Sequence, residues 1–275
     1  MEMLQILISI LFGIVEGITE WIPVSSTGHM ILLEEFVKFD LSRDFLEMYL
    51  VVIQFGAILA VVILYFKDLW PFCKDKEKHY IQNDKMSMWF KIVVSCIPAV
   101  IVELAAGDFL EDKFYNFVCV AVMLIIVGVV FVIVEVMNKD HKPTVNEIKD
   151  ITYRNAFIIG IFQVIAAAFP GTSRSGATII GGLILGLSRT VAAEYTFFMA
   201  VPVMFGASVM KMLKFGFNYT PMEAVVLIVG CIVAFVVSLV VIKFFMGYIK
   251  KHDFKVFGYY RIVLGIIVLL YFLLR

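Results

Sequence analysis

Residues 155–187 read Asn155-Ala-Phe-Ile-Ile-Gly-Ile-Phe-Gln-Val-Ile-Ala-Ala-Ala-Phe169, then Pro170-Gly171-Thr172-Ser173-Arg174, then Ser175-Gly-Ala-Thr-Ile-Ile-Gly-Gly-Leu-Ile-Leu-Gly-Leu187. The last piece has 13 residues, roughly 20 Å of helix at about 1.5 Å per residue. A hydrocarbon core is about 30 Å thick, so this piece is too short to cross it. Both pieces are nonetheless strongly apolar, and Pro170-Gly171 separates them. A broken helix at membrane depth persists only where protein or a water-filled cavity covers its free backbone groups. The stretch therefore reads as a re-entrant helix pair. Residues 2–22 and 24–38, separated by Pro23, read the same way.

Working outward, six segments are long and apolar enough for full spans: 46–66, 87–106, 116–137, 190–213, 222–246 and 257–275. Of 275 residues, 62% are apolar and only 17% charged, about two-thirds of the charged share usual in soluble domains. Sixteen charged side chains crowd into 67–86 and 138–154. The 23 basic and 23 acidic residues cancel, so nothing points to nucleic acid. Loops 67–86, 138–154 and 247–256 carry 5, 4 and 3 Lys or Arg; loops 39–45, 107–115 and 214–221 carry one each. The positive-inside rule puts the first set in the cytoplasm. Both termini then lie outside, and the two re-entrant pairs dip in from opposite sides. Met1-Glu2-Met3-Leu4-Gln5 lacks a basic n-region, so no removable signal peptide is expected. Cys73, Cys96, Cys119 and Cys231 show no CxxC spacing; three of them lie in apolar spans and read as small buried thiols.

That topology predicts an internal inverted repeat. At an offset of 147, residues 13–47 match 160–194 at Gly13/Gly160, Ile14/Ile161, Ile18/Ile165, Pro23/Pro170, Ser26/Ser173 and Glu47/Glu194. Glu16 falls opposite Gln163, and Ser25 opposite Thr172. The expected fold is an all-α polytopic membrane protein, with six transmembrane helices plus two re-entrant helix pairs in an inverted-topology repeat. Residues 1–275 form one membrane domain, with halves 1–137 and 155–275 joined by the cytoplasmic linker 138–154. Such repeats place anion sites near the midplane, where half-helix N-termini meet.

Chemistry-bearing residues gather at the two breaks. Glu16 and Glu20 are four apart and share a helical face. An ionised side chain at bilayer depth costs about 2.5–3.5 kcal/mol on insertion scales. The bland account is two carboxylates snorkelling to the interface; the functional one is a pair that binds a divalent cation or orients a base. Ser25 or Ser26 can cap the helix after Pro23, an ordinary use of serine. Capping leaves His29 unexplained, since it lies one turn beyond Ser26 at depth, whereas His79, His141 and His252 fall in loops. Beside a serine and two glutamates it is a candidate base, acid or nucleophile. In the second break, glycines allow close backbone approach, and hydroxyls with free N–H groups at a helix start form an anion cradle. Arg174 adds a planar fork suited to phosphate oxygens; the plain alternative is a helix-packing surface with Arg174 paired to a glutamate.

The motif Glu16-Gly-Ile-Thr-Glu20-Trp-Ile-Pro23-Val-Ser25-Ser26-Thr27-Gly28-His29, followed by Pro170-Gly-Thr-Ser-Arg-Ser-Gly-Ala-Thr178, resembles the undecaprenyl-diphosphate phosphatase family, also called bacitracin-resistance proteins. The resemblance continues through Val52–Val61, Asp150–Arg154 and Ala200–Pro202. It implies hydrolysis of a C55 isoprenoid diphosphate at the outer face of the bacterial cytoplasmic membrane, which recycles the lipid carrier for peptidoglycan. By motif position, Glu16, Glu20, Ser26, His29 and Arg174 are the catalytic set. Ser25, Thr27, Thr172, Ser173, Ser175 and Thr178 contact substrate. The resemblance also implies a divalent cation, Mg²⁺ or Ca²⁺, held at Glu16 and Glu20. The chain departs from the family pattern by one extra residue between Gln163 and Pro170, which removes support for a specific role of Gln163. Asp150, in a charged loop, reads as structural.

Two mechanisms stay open at this level: Ser26 attacks with His29 as base, or His29 attacks and forms a phospho-histidine. A carrier or flippase of lipid phosphate or a small anion is the rival class, because half-helices and a midplane anion site suit transport as well. Ser26 with His29 favours the enzyme, since a carrier needs donors but no nucleophile–base pair. The partners expected are the polyprenyl diphosphate lipid and the bilayer, with a homodimer as a further expectation. An ion pair between Glu194 and Arg261 is also expected.

Overall fold

The structure is a computed structural model that describes residues 2–72, 81–216 and 218–274. Cys73 and His79 lie outside the described residues. In chain order the helices are α1 (Glu2–Thr19), α2 (Ser26–Phe36), α3 (Arg43–Leu64), the short α4 (Phe66–Leu69), α5 (Asn83–Phe114) and α6 (Phe117–Met137). After a 3₁₀ turn at Ile148–Asp150 come α7 (Tyr153–Ala168), α8 (Arg174–Ile184), α9 (Arg189–Phe215), α10 (Pro221–Ile249) and α11 (Lys255–Leu273).

Polar caps set where the apolar runs begin. Ser42, Asn116, Thr152 and Ser188 each accept a hydrogen bond from the backbone N–H three residues on, relieving one orphan donor of a first turn. Thr220 and Glu223 form a reciprocal capping box ahead of α10. The expected span 116–137 corresponds to α6 at Phe117–Met137. The expected span 87–106 is longer: α5 runs 32 residues, past Pro98 and through most of the loop expected at 107–115.

Among the described residues, length and apolar composition qualify seven helices as able to cross a membrane, so the chain is a polytopic membrane protein. That is one more than the six expected. The addition is α1, whose 18 helical residues reach spanning length even though Pro23 ends the segment soon after. Helix α7 has 16 residues, and α2 and α8 have 11 each.

The two halves interleave. Helix α1 lies along α10, and α7 lies along α5; α3 packs on α9, and α6 on α11. Close backbone approach makes these contacts possible, as small residues do between membrane helices. A Cβ on Gly13 would stand 2.8 Å from the Gly230 carbonyl oxygen, and one on Gly160, 147 positions on, would strike the Ser95 carbonyl oxygen. The linker 138–152 is tied down by Thr144 and Val145 N–H groups donating to Gly186 O, with Ser188 N–H returning to Val145 O. Cys96, Cys119 and Cys231 are free thiols.

Candidate active site

Both helix breaks are built around a serine in a conformation that serine rarely adopts. Ser25 has φ 73° and Ser173 has φ 67°, the two non-glycine residues with positive φ among the described residues. Each is an N-cap: the Ser25 side chain accepts from Gly28 N–H at 3.3 Å, and the Ser173 side chain from Gly176 N–H at 3.2 Å. A left-handed serine costs roughly 1–3 kcal/mol and persists only where its surroundings impose it. The caps also shift the register expected for the repeat. Ser25, not Ser26, is the structural counterpart of Ser173, because two residues (Gly171-Thr172) separate Pro170 from its cap and only Val24 separates Pro23 from Ser25. Ser26 therefore stands opposite Arg174.

The two breaks meet at Glu20. Its Oε1 accepts from Arg174 Nη2 at 2.8 Å, its Oε2 accepts from Ser26 Oγ at 2.8 Å, and its carbonyl accepts from Ser175 Oγ at 3.1 Å. Arg174 also reaches Thr196 O at 3.4 Å and Met204 Sδ at 3.3 Å. Ser175 Oγ shares a 3.1 Å contact with Ser173 Oγ. Glu16, one turn before Glu20, is 1% exposed, and its Oε1 has no partner among the described residues. Gln163 is likewise buried, with both amide atoms unpartnered among the described residues.

His29 faces elsewhere. Its Nδ1 lies 2.8 Å from Ser25 O and its Nε2 lies 2.7 Å from Tyr260 Oη, with the two rings stacked at 5.7 Å. A carbonyl only accepts, so Nδ1 carries the proton; in the neutral ring Nε2 then accepts from the tyrosine hydroxyl. The hydrogen-bond partner of Ser26 is Glu20 rather than His29. Thr27 is half-buried and makes no side-chain hydrogen bond to the cluster among the described residues. Thr172 is buried, with its hydroxyl unpartnered among the described residues. Thr178 spends its hydroxyl on protein groups: Arg174 O at 2.9 Å, Ser175 O at 3.3 Å and Thr196 Oγ1 at 2.9 Å.

Of two buried charges, one was expected with a different partner and the other escaped the sequence reading. Arg261 does not pair with Glu194. Fully buried on α11, it donates to Pro23 O at 3.1 Å and to Gly171 O and Thr172 O at 2.8 Å each, spanning both breaks. A charge in the middle of an apolar run was the available signal. Glu135, near the end of α6, accepts from Arg189 and from Phe254 N–H. That pair borders a cavity of about 470 Å³ near the C-terminal end of α8, away from the breaks at its N-terminus.

The family described as Bacitracin resistance protein BacA matches residues 9–267. The undecaprenyl-diphosphatase of Desulfitobacterium hafniense is 61% identical over 275 residues, covering 100% of this chain and 99% of that protein. That of Lachnoclostridium phytofermentans is 57% identical over 274 residues, covering 100% and 99%. The undecaprenyl-diphosphatase 1 of Clostridium acetobutylicum is 55% identical over 274 residues and covers 100% of each.

Proposed function

The chain belongs to the bacitracin resistance protein family, and from that membership we propose that it is an undecaprenyl diphosphatase. It hydrolyses undecaprenyl diphosphate to undecaprenyl phosphate and inorganic phosphate, returning the lipid carrier to peptidoglycan synthesis. The observation that carries the mechanism is the 2.8 Å contact of Ser26 Oγ with Glu20 Oε2, with Arg174 on the other oxygen of the same carboxylate. A carrier of lipid phosphate has no use for a hydroxyl aligned on a carboxylate.

Ser26 Oγ attacks the terminal phosphorus, and Glu20 takes its proton as the O–P bond forms. The bridging P–O bond breaks, and polyprenyl phosphate leaves with that proton. Water then attacks the phosphoserine; its proton passes by way of Glu20 to Ser26 Oγ as the ester bond breaks and phosphate departs. Arg174 orients Glu20 and faces the charge that develops on the transferring phosphoryl oxygens. His29 has both ring nitrogens engaged, by Ser25 O and by Tyr260 Oη, and takes no proton in this scheme.

The residues fit a divalent cation. Glu16 is a buried carboxylate with an unpartnered oxygen one turn from Glu20. Mg²⁺ is commonly held by one or two carboxylates together with substrate phosphate oxygens, so Glu16 and Glu20 would hold it. When bound, it neutralises phosphate charge and polarises the phosphoryl group.

The breaks form two re-entrant turns of an inverted repeat that opens to the outer face. The matched left-handed caps, the crosswise packing of α1 on α10 and α7 on α5, and the loop charge asymmetry support this arrangement. Purified protein should release inorganic phosphate from a polyprenyl diphosphate, and a chelator should abolish the release until Mg²⁺ or Ca²⁺ is restored. Full turnover in chelator would remove the cation from the account, and no release under any condition would remove the diphosphatase.

A further inference from the structure

We propose that Arg261 is a positioning residue that fixes which way the peptide units of the breaks point, and so builds the amide cradle for the terminal phosphate. The inference rests on the diphosphatase reading above. Arg261 is a cation buried without a carboxylate: all three of its hydrogen-bond acceptors are backbone carbonyls, those of Pro23, Gly171 and Thr172. Its Nε has no partner among the described residues.

In a planar trans peptide the C=O and N–H bonds point in opposite directions. Drawing the Gly171 carbonyl to Arg261 turns the Thr172 N–H away from it, and that N–H donates to Phe169 O at 3.2 Å. Drawing the Thr172 carbonyl to Arg261 likewise turns the Ser173 N–H away. That N–H has no hydrogen-bond acceptor among the described residues. Helix α8 then begins, and the N–H groups of Arg174 and Ser175 belong to a first turn that has no intrahelical acceptors. Gly176 N–H is already taken by the Ser173 side chain. Three successive N–H groups, of residues 173 to 175, are thus left for an anion, an arrangement of the kind that binds phosphate. The buried, unpartnered hydroxyl of Thr172 sits on the same segment.

The first break is held by the same fork. Pro23 O is bound by Nη1 while Nη2 holds the second break. Arg261 therefore fixes the separation of the nucleophile's loop from the cradle. Lysine keeps the charge but cannot present a planar fork to three carbonyls on two loops.

The test compares Arg261→Lys and Arg261→Gln with the wild type, using a water-soluble short-chain prenyl diphosphate. Both variants should elute as the wild type does on size exclusion, and both should lose kcat by about 10²-fold, as when an oxyanion donor is removed. KM should move less than about threefold, because the prenyl chain still binds the substrate while the cradle holds the phosphate more strongly in the transition state. Inhibition by inorganic phosphate should weaken in both. Folded variants with full kcat and only a lower Tm would overturn the proposal, leaving Arg261 a fold staple. Full kcat in Arg261→Lys would overturn it too, since charge alone would then suffice. If neither variant folds, hydrogen exchange of wild-type residues 169–176 with and without inorganic phosphate decides. Slowed exchange at the Ser173 amide supports the cradle, and unchanged exchange overturns it. A wild type that releases no phosphate would sink the diphosphatase reading instead, an outcome distinct from all of these.

Discussion

At the first break a serine with φ 73° caps α2 through Gly28; at the second a serine with φ 67° caps α8 through Gly176. The next residue is Ser26 in one and Arg174 in the other, a hydroxyl opposite a guanidinium. One turn before the break, buried Glu16 stands where the other half has buried Gln163. The two caps share one backbone conformation, and the side chains beside them differ. Each break ends in the N-terminus of a short helix, α2 or α8, and such termini favour an anion. In the proposed mechanism, the nucleophile and carboxylates belong to one break, and the cation and free amides to the other. Glu20 joins them, accepting Ser26 with one oxygen and Arg174 with the other.

The widest gap between the breaks is expected when a serine is removed from each. Ser26→Ala should lower kcat by about 10⁴-fold or more, as loss of a nucleophile does. Ser173→Ala should cost about 1 kcal/mol of stability, an ordinary cap loss, with a far smaller effect on kcat. Equal losses of turnover in single-turnover assays of the two purified variants would break the division of roles.

Arg174→Lys should come next. It keeps the charge and loses the two parallel N–H groups, so kcat should fall by about 10²–10³ while KM changes much less. A lysine variant with full kcat and only a raised KM would reduce Arg174 to a docking residue.

The smallest effect tests the repeated frame rather than the chemistry. Gly13→Ala and Gly160→Ala each push a methyl toward a carbonyl oxygen of the helix packed against them, Gly230 on α10 and Ser95 on α5. Each should destabilise the protein by about 1–3 kcal/mol, the usual cost of overpacking, with kcat per folded molecule unchanged. Thermal unfolding in detergent reads this directly. A large loss for one glycine and none for the other would mean that the two halves are not packed alike.

Much of the fold was legible because composition decides it. Charged loops bracket apolar runs, so the expected span 116–137 and α6 differ by a single residue. Pro23 and Pro170 marked both breaks. The cap register was not legible, since the offset that aligns the prolines misaligns the caps by one, and only the φ values of Ser25 and Ser173 reveal it. Glu16, Glu20, Ser26 and Arg174 could be singled out as polar groups inside apolar sequence. Which of them touch could not be read. Ser26 and His29 share a helical face by spacing, yet Ser26 turns back to Glu20, while His29 meets Tyr260, 231 positions away. Arg261 was visible as a charge within a span, but its partners are carbonyls, and no sequence pattern marks a carbonyl as an acceptor.

The most direct test of the central claim, that Ser26 is the nucleophile served by Glu20, is a rapid acid quench of the enzyme with a prenyl diphosphate radiolabelled in its terminal phosphate. The account predicts an acid-stable label on the peptide that carries Ser26, and none on Ser26→Ala. An acid-labile label at His29, or turnover at the wild-type rate by Ser26→Ala, would contradict it.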